Sequence, residues 1–84
     1  MKLYRIHTED KNRERIAQIV GAAFDAWTLL NAEGVWKGQS EHSLVIEVYT
    51  ESEWMVKAVA LQIKEANNQE AVLVSEQEVK ETLI

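Results

Sequence analysis

The chain has no cysteine, no proline and only three glycines among its 84 residues. Without cysteine there is neither a disulfide nor a thiolate metal site to brace the fold. With no proline, and with glycine confined to Gly21, Gly34 and Gly38, no stretch has the composition of a linker, a repeat or a low-complexity tail. One domain spanning residues 1–84, with tightly connected elements, is expected. No apolar run approaches the roughly 20 residues of a membrane span. The opening Met1-Lys2-Leu3-Tyr4-Arg5 also lacks the apolar core of a secretory signal. A cytoplasmic location with no membrane partner is therefore expected. Basic residues are in deficit too, with 9 Lys and Arg against 14 Asp and Glu and a net charge of −5. A surface of that sign repels phosphate backbones, which argues against nucleic acid as a partner.

The sequence does contain alternating and helical hydrophobic patterns in a definite order. Lys2 to His7 alternates as a short strand. Thr8 and Asp10 are candidate N-caps for a helix whose apolar stripe is Ile16, Ile19, Val20, Ala23 and Phe24. Ala26 to Ala32 is β-prone, and Leu44 to Tyr49 alternates cleanly. The residues between them, from Glu33-Gly34 through Lys37-Gly38, read as an irregular hairpin tip around Val35 and Trp36. Thr50-Glu51-Ser52-Glu53 fits a capping box for a second helix. That helix should end at Asn67-Asn68, where asparagine tolerates the left-handed conformation. Ala71 to Val74 reads as a last strand, and residues 76–84 fit either a helical turn or an extended tail.

Strand, helix, strand, strand, helix, strand is the order of an α+β, ferredoxin-like β-α-β-β-α-β domain. Such a chain closes as a four-stranded antiparallel sheet with both helices on one face. A domain this small has a thin core, burying roughly 60–65% of the surface its unfolded chain exposes, and domains without staples often gain stability by association. Two further features point the same way. In the second helix Val56, Val59, Ala60, Ile63 and Ala66 form one apolar side, while Trp54, Ala58 and Leu61 fall nearly opposite. The helix-free sheet face would carry Val45 and Tyr49, with Leu3 or Tyr4 and Val72 or Leu73 according to register. Val45, Tyr49, Trp54 and Leu61 are the candidate oligomer contacts.

Candidate chemistry is sparse. His7 and His42, with Glu9, Glu41 and Glu47, have the donor types for a divalent metal, but no H-x-x-x-H or H-E-x-x-H spacing joins them. Ser40, His42 and Ser43 supply a nucleophile and a base, yet strand alternation separates neighbouring side chains. No catalytic, metal or cofactor residues are assigned on these grounds. The glycines do not form a phosphate-binding loop.

The most distinctive stretch is Trp36-Lys37-Gly38, then Glu41, then the alternating Leu44-Val45-Ile46-Glu47-Val48. It resembles the middle of the CutA proteins, which carry a W-x-G, an acidic residue and an alternating strand before their second helix. The order of elements is similar to that of the wider PII/CutA-like superfamily. That resemblance implies a tight trimer, favoured over a dimer, with sheets facing inward and small-molecule or metal sites in clefts between subunits. Trp36, Lys37 and Glu41 are then the expected ligand contacts. The CutA histidine-proline-tyrosine segment is replaced here by Asn67-Asn68-Gln69-Glu70, and neither the long PII loop nor its nucleotide loop is present. Adenine-nucleotide sensing and copper tolerance therefore do not carry over. A homo-oligomeric binding or regulatory module without catalysis is expected. The alternatives are an acidic adaptor or inhibitor engaging a basic partner through Trp54 and Leu61, and a small enzyme using His7 or His42.

Overall fold

A computed structural model describes residues 1–84. Its elements are β1 (Lys2–Glu9), α1 (Arg13–Ala23), β2 (Thr28–Trp36), β3 (Gln39–Thr50), α2 (Glu53–Ala66) and β4 (Leu73–Glu78). The sheet runs β2-β3-β1-β4, and every neighbouring pair is antiparallel. This is the ferredoxin-like arrangement expected from the order of elements. No helix is long and apolar enough to cross a membrane.

Strand alternation divides the sheet into two faces. Tyr4 and Ile6 of β1 lie opposite Val48 and Ile46 of β3, and all four are buried against the helices. Ile16, Ile19 and Val20 of α1 and Val56, Val59, Ala60 and Ile63 of α2 complete that core. Burying a side chain of this size contributes about 1.5–3 kcal/mol. Ile46 lies at the centre, between Ile6 of β1 and Leu29 of β2, and is fully buried. Ala66, expected on the packed side of α2, is exposed, while Ile63 and Asn67 on either side of it are buried.

The caps differ from the sequence expectation. Thr8 belongs to β1 and is buried, and Asp10 receives the Arg13 guanidinium at 2.9 Å. The residue preceding α1 is Asn12, held at φ 54 with no side-chain cap. Ser52 precedes α2, also without a side-chain cap, while the Thr50 hydroxyl accepts from the Ser52 amide at 3.1 Å. Thr50 therefore closes a local turn at the end of β3 and does not cap the helix. Asparagine does end α2, with Asn68 in the left-handed conformation at φ 51.

The hairpin tip is regular. β2 runs through Gly34 and Val35 to Trp36, which pairs with Gln39, so only Lys37 and Gly38 form the turn. Both have positive φ, 50 and 78, the geometry that matches the twist of a two-residue hairpin. Gly34 is needed for close approach, since a Cβ there would lie 2.7 Å from the Ser43 hydroxyl oxygen. The last strand is Leu73–Glu78, not Ala71–Val74. Its polar half is held by register with β1, where Lys2 and Glu76 pair at 2.8 Å. Residues 79–84 form neither helix nor strand.

Candidate functional site

The face of the sheet away from the helices carries Leu3, Arg5, His7 and Glu9 from β1. One row across it reads Leu30, Val45, His7, Leu73, each the cross-strand partner of the next. Leu30, Tyr49 and Leu73 are exposed there. The next row holds Arg5, whose Nε donates to Glu47 at 2.8 Å and whose Nη1 donates to Gln77 at 2.7 Å. Val45 and Tyr49 thus lie on the open sheet face. Trp54 and Leu61 are exposed on the outer side of α2, so the four candidate oligomer contacts fall on two separate surfaces.

At one end of the open face the hairpin, β1 and the loop after α2 enclose a groove of about 450 Å³. His7 and Glu9 form its floor, Gly34, Glu41 and Val45 one wall, and residues 69–73 the other. Trp36 stands at its mouth, 49% exposed. This volume lies within the roughly 300–1,000 Å³ typical of small-molecule sites.

The tip is tied to the opposite wall by one carboxylate. Trp36 Nε1 donates to Glu70 Oε2 at 3.2 Å, and Lys37 Nζ donates to Glu70 Oε1 at 2.7 Å. These two donors, the ammonium first, hold the Glu70 carboxyl below its ordinary pKa. Lys37 is therefore neutralised by Glu70 and is not a free cation for a ligand. The loop carrying Glu70 is itself anchored. Gln69 Oε1 accepts from the Thr8 hydroxyl and from Asn67 Nδ2, Asn67 Oδ1 accepts from Asn12 Nδ2, and Lys11 Nζ donates to the Asn67 carbonyl. Asn67 is buried, so each of its polar groups needs such a partner.

Glu41 and Glu9 face one another within the groove. Desolvation raises the Glu41 pKa, and the neighbouring Glu9 raises it further by charge and by a shared hydrogen bond. Glu9 also has Lys11 Nζ at 3.6 Å. With Glu70 added, the groove is acidic, and the nearby lysines are already engaged. His42 is exposed on the hairpin opposite Glu33, away from His7, and no group of three or more His, Cys, Asp or Glu is placed to hold a metal.

Trp36 and Glu41 line one groove and Lys37 meets it only through Glu70, while Glu9 was weighed only as a metal donor and Glu70 was not singled out. Neither carries a local signal. Glu9 meets Glu41 only through the register of β1 on β3, and Glu70 lies 34 residues from Trp36.

No protein-family model matches the chain, and no curated protein matches it. Solved structures do. A phage SAM lyase in its apo state is 19% identical, with 90% of this chain and 78% of that one covered and a TM-score of 0.71. The PII-like protein CutA from Nostoc sp. PCC 7120, also in apo form, is 21% identical over 94% of this chain and 81% of that one, at a TM-score of 0.65. The fold is PII/CutA-like. CPII, a nitrogen regulatory PII-like protein from Thiomonas intermedia K12 bound to ADP, AMP and bicarbonate, is 16% identical. It covers 98% of this chain and 94% of its own, at a TM-score of 0.65. At these identities the PII/CutA-like fold is common ground, and the groove chemistry belongs to this chain.

Proposed function

We propose that this protein is a cytoplasmic, homo-oligomeric binding module, assembled through its open sheet face as an inward-facing trimer. Its groove takes a small molecule carrying a positive charge on a flat, apolar body. The observation that carries this reading is the Glu9–Glu41 pair lying in the same groove as a half-exposed Trp36. A cation beside the pair offsets the repulsion between two carboxylates. The indole offers a π face for a ring or for the cation itself. The exposed row of Leu30, Val45 and Leu73 beside the groove supports an assembly in which neighbouring copies complete its open side. A thermal-shift series comparing cationic, neutral and anionic aromatic ligands tests the proposal, since a ligand that binds the folded state raises the melting temperature. Stabilisation by ADP or AMP in preference to a cation would refute it.

A second reading adds chemistry at the same groove. SAM bears a sulfonium cation and an adenine ring, the two features the groove suits, and a SAM lyase is among the similar folds. Under this reading the acidic pair holds the sulfonium while the carboxylate oxygen of SAM's own amino-acid tail bonds to the Cγ that leaves sulfur, so that the electron pair of the broken carbon–sulfur bond stays on a neutral thioether and the tail closes to a lactone. Chromatography of SAM incubated with the protein distinguishes the two. A methylthio-nucleoside that appears with wild type and fails to appear with Glu41→Gln supports the lyase. Binding without product supports the module.

A further inference from the structure

The outer flank of α2 and the free edge of β4 enclose a second, smaller depression of about 220 Å³, which borders the Trp36 groove at Val72. Leu61, Val72 and Val74 line it, with Lys57 and Lys64 at its sides. Lys57 is engaged by Glu53 at 3.3 Å, whereas Lys64 makes no ion pair. On α2, Leu61 lies four residues after Lys57 and three before Lys64, one turn from each. An apolar pocket flanked by cations, beside a strand edge with unpaired backbone groups, suits an extended segment with an acid two residues from a leucine.

The chain contains such a segment. Val79 is tied to the residue before β1, its amide donating to the Met1 carbonyl at 3.2 Å, and residues 80–84 beyond it are exposed. Leu83 and Ile84 are 101% and 114% exposed, so neither has a place in its own subunit. In an extended conformation Glu81 and Leu83 project to the same side, roughly 7 Å apart. That matches one helical turn from Lys64 to Leu61, roughly 5–6 Å between Cβ atoms. The segment cannot reach the pocket of its own domain without reversing, because the pocket lies beside the start of β4 and residue 79 follows its end.

We propose that residues 79–84 of one copy dock in the α2–β4 depression of a neighbouring copy, with Leu83 on Leu61 and Glu81 on Lys64. Each copy then gives one tail and receives one, a head-to-tail contact of the kind that closes a ring. It uses the outer flank of α2, a surface other than the open sheet face, and meets the Trp36 groove only at Val72.

The absence of cysteine allows a direct test. Leu61→Cys and Leu83→Cys are made separately, one carrying a size tag, then mixed, allowed to exchange subunits and oxidised. Both sites are exposed, and circular dichroism checks that each variant folds. The expected result is a disulfide-linked heterodimer in clear excess over either homodimer on a non-reducing gel. Lys64→Glu in the Leu61→Cys copy should lower that yield about two- to five-fold, the scale of one exposed ion pair. Glu81→Lys in the other copy should restore it. A mixture giving only homodimers or no cross-link overturns the docking. A yield unchanged by Lys64→Glu overturns the Glu81 contact.

Discussion

Replacing Glu41 by Gln should stabilise the protein at neutral pH, although it removes a polar group from the groove. Glu41 has a raised pKa in the folded state because of desolvation and the facing Glu9, so its charged form is disfavoured there. For an acid the sign follows directly. A raised folded pKa means the ionised group destabilises the fold above that pKa, and the penalty vanishes below the unfolded value. Glutamine keeps the shape and cannot ionise. The pair is partly solvated and Glu9 also has Lys11 at 3.6 Å, so the relief belongs on the scale of exposed charge pairs, about 0.5 kcal/mol. In a domain of this size that corresponds to a rise in melting temperature of roughly 2–4 °C. Thermal unfolding followed by circular dichroism at pH 7 should show the increase, and the advantage over wild type should shrink as the pH falls through the carboxylate range. Glu9→Gln should gain less, because it also discards the attraction to Lys11. A lower melting temperature for Glu41→Gln at pH 7, or a gain that persists unchanged into acid, would refute the charge argument.

Ile46→Ala removes a fully buried side chain from the centre of the core and should cost about 2–5 kcal/mol, read as a loss of the folded baseline in urea titration. Val45→Asp places a charge on the open sheet face and should convert the proposed oligomer to a folded monomer, checked by light scattering with circular dichroism; a wild type that is already monomeric would refute the assembly. Gly38→Ala forces a Cβ onto a residue at φ 78 and should cost about 1 kcal/mol in chemical denaturation. Glu70 has a depressed folded pKa, so its contribution holds above the unfolded carboxylate value and is lost as the pH falls through the folded one. With Trp27 and Trp54 replaced by Phe, Trp36 emission should therefore shift on acidification below the normal Glu range, and Glu70→Gln should abolish that titration.

The parts of the fold legible from sequence are those in which one face of an element is buried. β3 alternates because Leu44, Ile46 and Val48 meet the helices while Val45, Glu47 and Tyr49 do not. α2 shows its stripe because Val56, Val59, Ala60 and Ile63 share one contact. Where pairing replaces burial, pattern fails. Gly34 looks like a break in β2, yet its missing Cβ makes room for the Ser43 hydroxyl and the strand continues through it. β4 sits two residues later than its apolar run suggests, because edge pairing with β1 recruits Ser75 and Gln77. The helix starts were misplaced for a related reason, since Asn12 and Ser52 precede α1 and α2 without the side-chain bonds that make a cap recognisable. In the groove, Trp36 and Glu41 stood out beside the hairpin glycines. Glu9 and Glu70 reach the groove through register and loop placement, which no local spacing encodes.

A positively charged ligand at the Glu9–Glu41 pair is the central claim, and the contrast between SAM and its neutral thioether, S-adenosylhomocysteine, isolates it. The two molecules share the adenine and the amino-acid tail and differ at sulfur by a methyl group and its charge. Isothermal titration at pH 7 should give tighter binding of SAM, by at least the roughly tenfold that 1.4 kcal/mol represents, and Glu41→Gln should erase most of that difference. Equal affinity for both ligands, or a preference for the sulfonium that survives in Glu41→Gln, would contradict the account.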